Sequence, residues 1–184
     1  MRRRLFDVLV SGVGALLTVV LVVAGILLLW GYNFTNNQVQ TQLSQQQITF
    51  PTTDSAAFKA LPPADQRAMA PYAGQLMTTG AQANTYANNF IAVHLNEIGG
   101  GKTYSQLSAE AQADPTNTKL AATVDTVFKG TTLRGALLNA YAFWQIGQIA
   151  LIAGIISLCA AFLMLILTLL GIRHVMQTPA EVQL

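Results

Sequence analysis

The sequence predicts an all-α protein: two transmembrane helices extended into an extracytoplasmic helical bundle. Three observations lead there. Two long runs are apolar and uncharged, residues 8–30 and 140–172. The stretch between them carries apolar residues at helical spacing. Strand-like alternation is nearly absent, being confined to the glutamine-rich stretch and the turn around Ile48.

The second run is the longer. No charged side chain lies between Arg134 and Arg173. As a helix rising about 1.5 Å per residue, it reaches about 50 Å, against a hydrocarbon core of roughly 30 Å. It is therefore expected to span a membrane and continue above it as a stalk from about residue 132. The first run is too long for the apolar part of a secretion signal, and no small-x-small cleavage site follows it. A retained anchor is expected.

Arg2, Arg3 and Arg4 precede the first run and Arg173 follows the second. The positive-inside rule then places residues 1–7 and 173–184 in the cytoplasm and residues 31–139 outside, in a plasma membrane. Trp30, Tyr32, Tyr141 and Trp144 fall where outer interfacial aromatics are expected.

Within 31–139, six bases (Lys59, Arg67, Lys102, Lys119, Lys129, Arg134) balance six acids (Asp54, Asp65, Glu97, Glu110, Asp114, Asp125). A neutral exterior offers no electrostatic footprint for nucleic acid. The single cysteine, Cys159, lies in the second run, so no disulfide within the chain can brace the exterior.

In chain order, Val39 and Leu43 sit four apart, and the first helix is expected to continue through 33–47 until Pro51 ends it. Pro62 and Pro63 break the next stretch into short helices, with Pro63 and Asp65 suited to a first turn. From about Gly74 to Ile98 the spacing predicts one amphipathic helix, stopped by Gly99-Gly100-Gly101. Helices are expected over 105–113 and 118–129. Gly130 reads as a break, with Thr131 or Thr132 capping the final helix. After Arg173 the tail, with Pro179, is expected to be loose.

Candidate chemistry is sparse. Gly101-Lys102-Thr103 has the ending of a phosphate loop, but Asn96 stands where that motif needs glycine, and a helix precedes it where a strand belongs. His94 and Glu97, three apart, are the one pair spaced to share a metal. Two ligands fall short of a stable site unless Asp125 or Glu110 folds back, and His94 shares a face with Phe90 and Ile98, as a packed histidine does. No cofactor is expected. The patterned feature is a small-residue seam along the second run, Gly147, Gly154, Ser157 and Ala161, of the kind that packs helices in lipid. It suits either the first run of the same chain or an external helix. The expectation is a non-catalytic accessory or scaffolding protein of the envelope. It would contact lipid and a membrane protein partner or further copies of itself; the alternatives are an extracytoplasmic sensing module working with a separate output partner, and a metal-assisted enzyme built around His94 and Glu97.

Two blocks, NNFIAVHLNEIGGGKTYSQLS (88–108) and FKGTTLRGALLNAYAFWQIGQIALIA (128–153), resemble a family of actinobacterial two-span membrane proteins. The resemblance implies the two-span topology and carries no catalytic residues. Its members often bear the label aromatic ring-opening dioxygenase. That chemistry needs two histidines and a carboxylate facing one iron, whereas His94 and His174 are predicted on opposite sides of the bilayer.

Overall fold

The computed structural model describes residues 3–177, and all of its regular structure is helical apart from one isolated antiparallel bridge between Thr49 and Leu76. In order come α1 (Arg3–Gln45), α2 (Ala56–Lys59), α3 (Pro63–Met69) with a 3₁₀ turn (Ala70–Tyr72), and α4 (Gly80–Tyr86). A π-turn (Ala87–Ile91) joins α4 to α5 (Ala92–Ile98), and α6 (Tyr104–Ala113) and α7 (Thr118–Gln177) follow. Two compact units result: Met1–Phe34 with Ile146–Leu184, and Thr35–Gln145. Arg2, Pro179 and the end of the tail lie outside the described residues.

In the first unit, α1 and α7 pair antiparallel. The pairing follows from residues without bulk. A Cβ on Gly14 would stand 2.6 Å from the Thr168 hydroxyl, and one on Gly171 would stand 2.8 Å from that of Ser11. Both helices are long and apolar enough to cross a membrane, each with a window of mean hydropathy 2.8.

The second unit has a packed core of Val39, Leu43, Phe50, Phe58, Leu61, Met69, Met77, Ala83, Ala87, Ile91 and Leu137. Val39 and Leu43 come from the extension of α1, which runs on to Gln45 through a stretch, residues 32–50, that has neither proline nor glycine. Residues 48–50 then lie beside 74–77. Met77 N–H donates to the Ile48 carbonyl at 2.8 Å, and Phe50 N–H donates to that of Gln75 at 2.9 Å. This tie puts Phe50 and Met77, both essentially inaccessible, at the centre of the core.

The structure corrects three expectations. The helix expected from Gly74 begins at Gly80, because residues 75–77 are held in that tie and Gly74 turns the chain at φ +72°. Its true start is a capping box: the Thr79 hydroxyl accepts from Gln82 N–H at 3.2 Å, while Gln82 Oε1 accepts from Thr79 N–H at 3.0 Å. Second, Gly130 does not break the chain. α7 is continuous from Thr118, and glycine is needed at 130 because Leu95 packs where a Cβ would stand. Thr131 and Thr132 are therefore interior, with Thr132 Oγ1 donating back to the Phe128 carbonyl at 2.9 Å. Third, α7 carries on past Arg173 to Gln177, so the start of the tail is helical.

Candidate functional site

The seam is the first place to look. Gly147, Gly154 and Ala161 are buried, and Thr168 extends them by a further seven residues. A seven-residue repeat keeps one stripe of a helix against a neighbour. The neighbour is α1: a Cβ on Gly154 would lie 3.2 Å from Leu29 and 3.3 Å from the Gly25 carbonyl oxygen. Ser157 Oγ donates to the Leu21 carbonyl at 2.8 Å, a hydrogen bond that ties the two helices together. Of the two partners the seam suits, the first run of the same chain thus fills it. Cys159 sits off the seam and is exposed.

Towards the chain ends, Asp7 and His174 approach to 4.0 Å, with one Asp7 carboxylate oxygen buried and lacking a hydrogen bond. Arg3 and Arg4 fall in the first turns of α1, and Arg173 lies near the end of α7.

The aromatic residues expected at an interface divide. Trp30 is exposed and stacks on Phe34 at 5.6 Å, in the first unit. Tyr32 is half-buried in the same unit. Tyr141 and Trp144 belong to the second unit and stack at 6.2 Å. Trp144 is partly buried and packs on the core, lying where a Cβ on Gly80 would be.

His94 lies at the end of a ladder of rings. Phe50 contacts Tyr72 at 5.4 Å and Tyr86 at 5.2 Å; Tyr86 meets Phe90 at 4.8 Å, and Phe90 meets His94 at 4.4 Å. Its Nδ1 sits 2.8 Å from the Phe90 carbonyl oxygen, and since a carbonyl only accepts, Nδ1 carries the proton. Glu97 is exposed. The acids that would have to fold back are engaged elsewhere, Asp125 with Lys129 at 2.6 Å and Glu110 with Lys102 at 2.8 Å. No group of three or more metal-ligating side chains forms among the described residues. Burial within the ladder pushes the Tyr86 phenol above the usual tyrosine range.

Gly99-Gly100-Gly101 ends α5 as a helix terminator. Gly100 and Gly101 take φ +59° and +79°, and Gly101 N–H reaches back to the Asn96 carbonyl at 2.8 Å. Thr103 then opens α6 with a second capping box, closed by Gln106.

Sequence reasoning missed Arg134. Its Nε donates to the Ala87 carbonyl at 3.2 Å and one Nη donates to Asn88 Oδ1 at 2.8 Å. Ala87 is where the π-turn begins, and its carbonyl also accepts from Ala92 N–H, five residues on. π-turns of this kind recur at functional sites. Nothing local in ANNFI signals the extra residue; the partner is forty-seven positions away.

The chain matches no protein family model, and no curated protein and no solved structure matches it.

Proposed function

We propose that this chain is a non-catalytic integral membrane protein of the cell envelope, an accessory or scaffolding subunit that acts through protein contacts. Both termini would be cytoplasmic and residues 31–139 extracytoplasmic. The observation that carries the reading is the surface of the first unit. Only 11% of each apolar window is buried, leaving Leu16, Val19, Leu27, Ile156, Leu163 and Leu167 among the side chains facing outward. The core helix of a soluble protein would bury such residues, whereas hydrocarbon receives them without penalty. His94, the histidine of the one pair spaced to share a metal, is held by the Phe90 carbonyl and packed on the Phe90 ring, which supports a structural reading of that residue.

With the seam filled by α1, a partner would meet the outward faces of the pair. Gentle purification from native membranes tests the reading, and a stoichiometric companion or a defined homo-oligomer is expected. A strictly monomeric protein without a companion would remove the support for it. Orientation is tested separately in a Cys159→Ser background. In intact cells, an impermeant thiol reagent should label Ser105→Cys and spare Gln177→Cys; the reverse pattern inverts the topology.

A further inference from the structure

The charge balance of the second unit hides a local imbalance. A groove of about 360 Å³ lies among α5, the glycine loop, the start of α6 and α7. Two of its lining residues are cations, Lys102 and Arg134, and none is a carboxylate. Arg134 is half-buried, and no carboxylate lies within ion-pair distance of it among the described residues. A guanidinium removed from water is ordinarily paired. Here the two groups that hold it, the Ala87 carbonyl and the Asn88 amide, are neutral.

Those two hydrogen bonds also aim the group. They use Nε and one Nη proton, which leaves three of the five donors, including both needed to grip a carboxylate across the outer Nη–Nη edge. Lys102 is a more adjustable cation, since its pair with Glu110 is exposed on both sides and such pairs hold weakly. Beside these charges the groove wall is apolar, with Ala92, Leu95 and Val127, while the Tyr104 ring packs on Phe128 at 5.3 Å.

We infer that this groove binds a small organic carboxylate with a compact apolar body, its carboxylate on Arg134 and its body against Leu95 and Val127. The π-turn is the device that fixes Arg134 for this purpose. The inference holds whether or not the protein has a partner chain.

Titration calorimetry on the full chain in a neutral detergent tests it, with benzoate, octanoate, benzyl alcohol and inorganic phosphate as probes. Saturable binding of benzoate at one site is expected, with benzyl alcohol about tenfold weaker or worse for want of the charge. Octanoate binding in place of benzoate sustains the carboxylate and identifies the body as an acyl chain. Arg134→Gln should abolish binding. Because that variant also loses the hold on the π-turn, Thr131→Trp, at an exposed position that lines the groove, provides the second arm. It should abolish binding while the helical circular-dichroism signal and melting temperature stay as in the parent. Four results would overturn the inference: no saturable binding of either carboxylate, equal binding of benzyl alcohol, a preference for phosphate, or binding indifferent to Thr131→Trp.

Discussion

The two units are built on opposite principles although both are helical. In the first, α1 and α7 meet through what is missing: Gly14, Gly25, Gly154 and Gly171 let the helices approach, Leu29 and Leu158 pack over two of these glycines, and many of the other large side chains point away. In the second, the large side chains point in, and Phe50, Met69 and Met77 are the most deeply buried of them. The contrast is the one the proposed membrane setting would call for. Where the surroundings are as apolar as leucine, burying leucine gains little, and close van der Waals contact with inter-helix hydrogen bonds must hold the pair. Where the surroundings are water, burial of bulk drives folding.

The contrast breaks most severely in the second unit. Phe50→Ala removes the ring that joins Tyr72 to Tyr86, and a loss of about 3–5 kcal/mol is expected for emptying such a site. Chemical unfolding followed by tyrosine fluorescence measures it, and a loss below 1 kcal/mol would mean the ladder is not the core.

Gly154→Leu attacks the other unit by overfilling. Its Cβ alone would crowd Leu29, and the full side chain should cost about 1–3 kcal/mol of helix packing. The readout is the yield of a disulfide between Ser11→Cys and Gly171→Cys in a Cys159→Ser background. That yield should fall sharply with Gly154→Leu, and an unchanged yield would show that the seam does not hold the pair.

Smaller in effect and opposite in sign is Thr168→Val. The Thr168 hydroxyl is buried without a hydrogen-bond partner, so a residue of the same shape lacking it should stabilise the pair by about 1 kcal/mol. Thermal melting in detergent decides this, and destabilisation would reveal an unseen role for the hydroxyl.

The subtlest test is alkaline. The fold raises the Tyr86 phenol by burying it, and so favours the neutral form. That stabilisation is fully present below the unfolded value of about pH 10 and is lost as pH rises through the folded value. Tyr86→Phe should melt close to the parent at pH 7 and above it at about pH 11. Equal loss in both proteins would assign the alkaline transition to other groups.

The sequence made the two apolar helices legible because their signal is composition sustained over many residues. It also exposed local punctuation, such as Pro63 opening α3 and the glycine run closing α5. What escaped depended on distant partners. The start at Gly80 rather than Gly74 follows from pairing with residues 48–50, although the Thr79-x-x-Gln82 spacing was there to be read. Gly130 has the composition of a breaker and the task of admitting Leu95, which only the packed structure distinguishes. Arg134 looks like one surface base among six until the carbonyl of Ala87 is set against it.

The π-turn has a consequence for how this domain can change over time. A π-turn is one residue more than a regular helix would hold, and each residue advances an α-helix by roughly 100°. Deleting a single residue within Ala87–Ile91 would let α4 and α5 fuse into one regular helix with the downstream azimuth nearly kept, because the wide turn spreads its extra residue over one revolution. Leu95 would stay against Gly130, and the glycine loop would leave α5 in much the same direction. What would be rebuilt is the backbone around Ala87 and Asn88, on which Arg134 is held. The turn can therefore gain or lose its extra residue without re-aiming α5, whereas the hold on Arg134 depends on it.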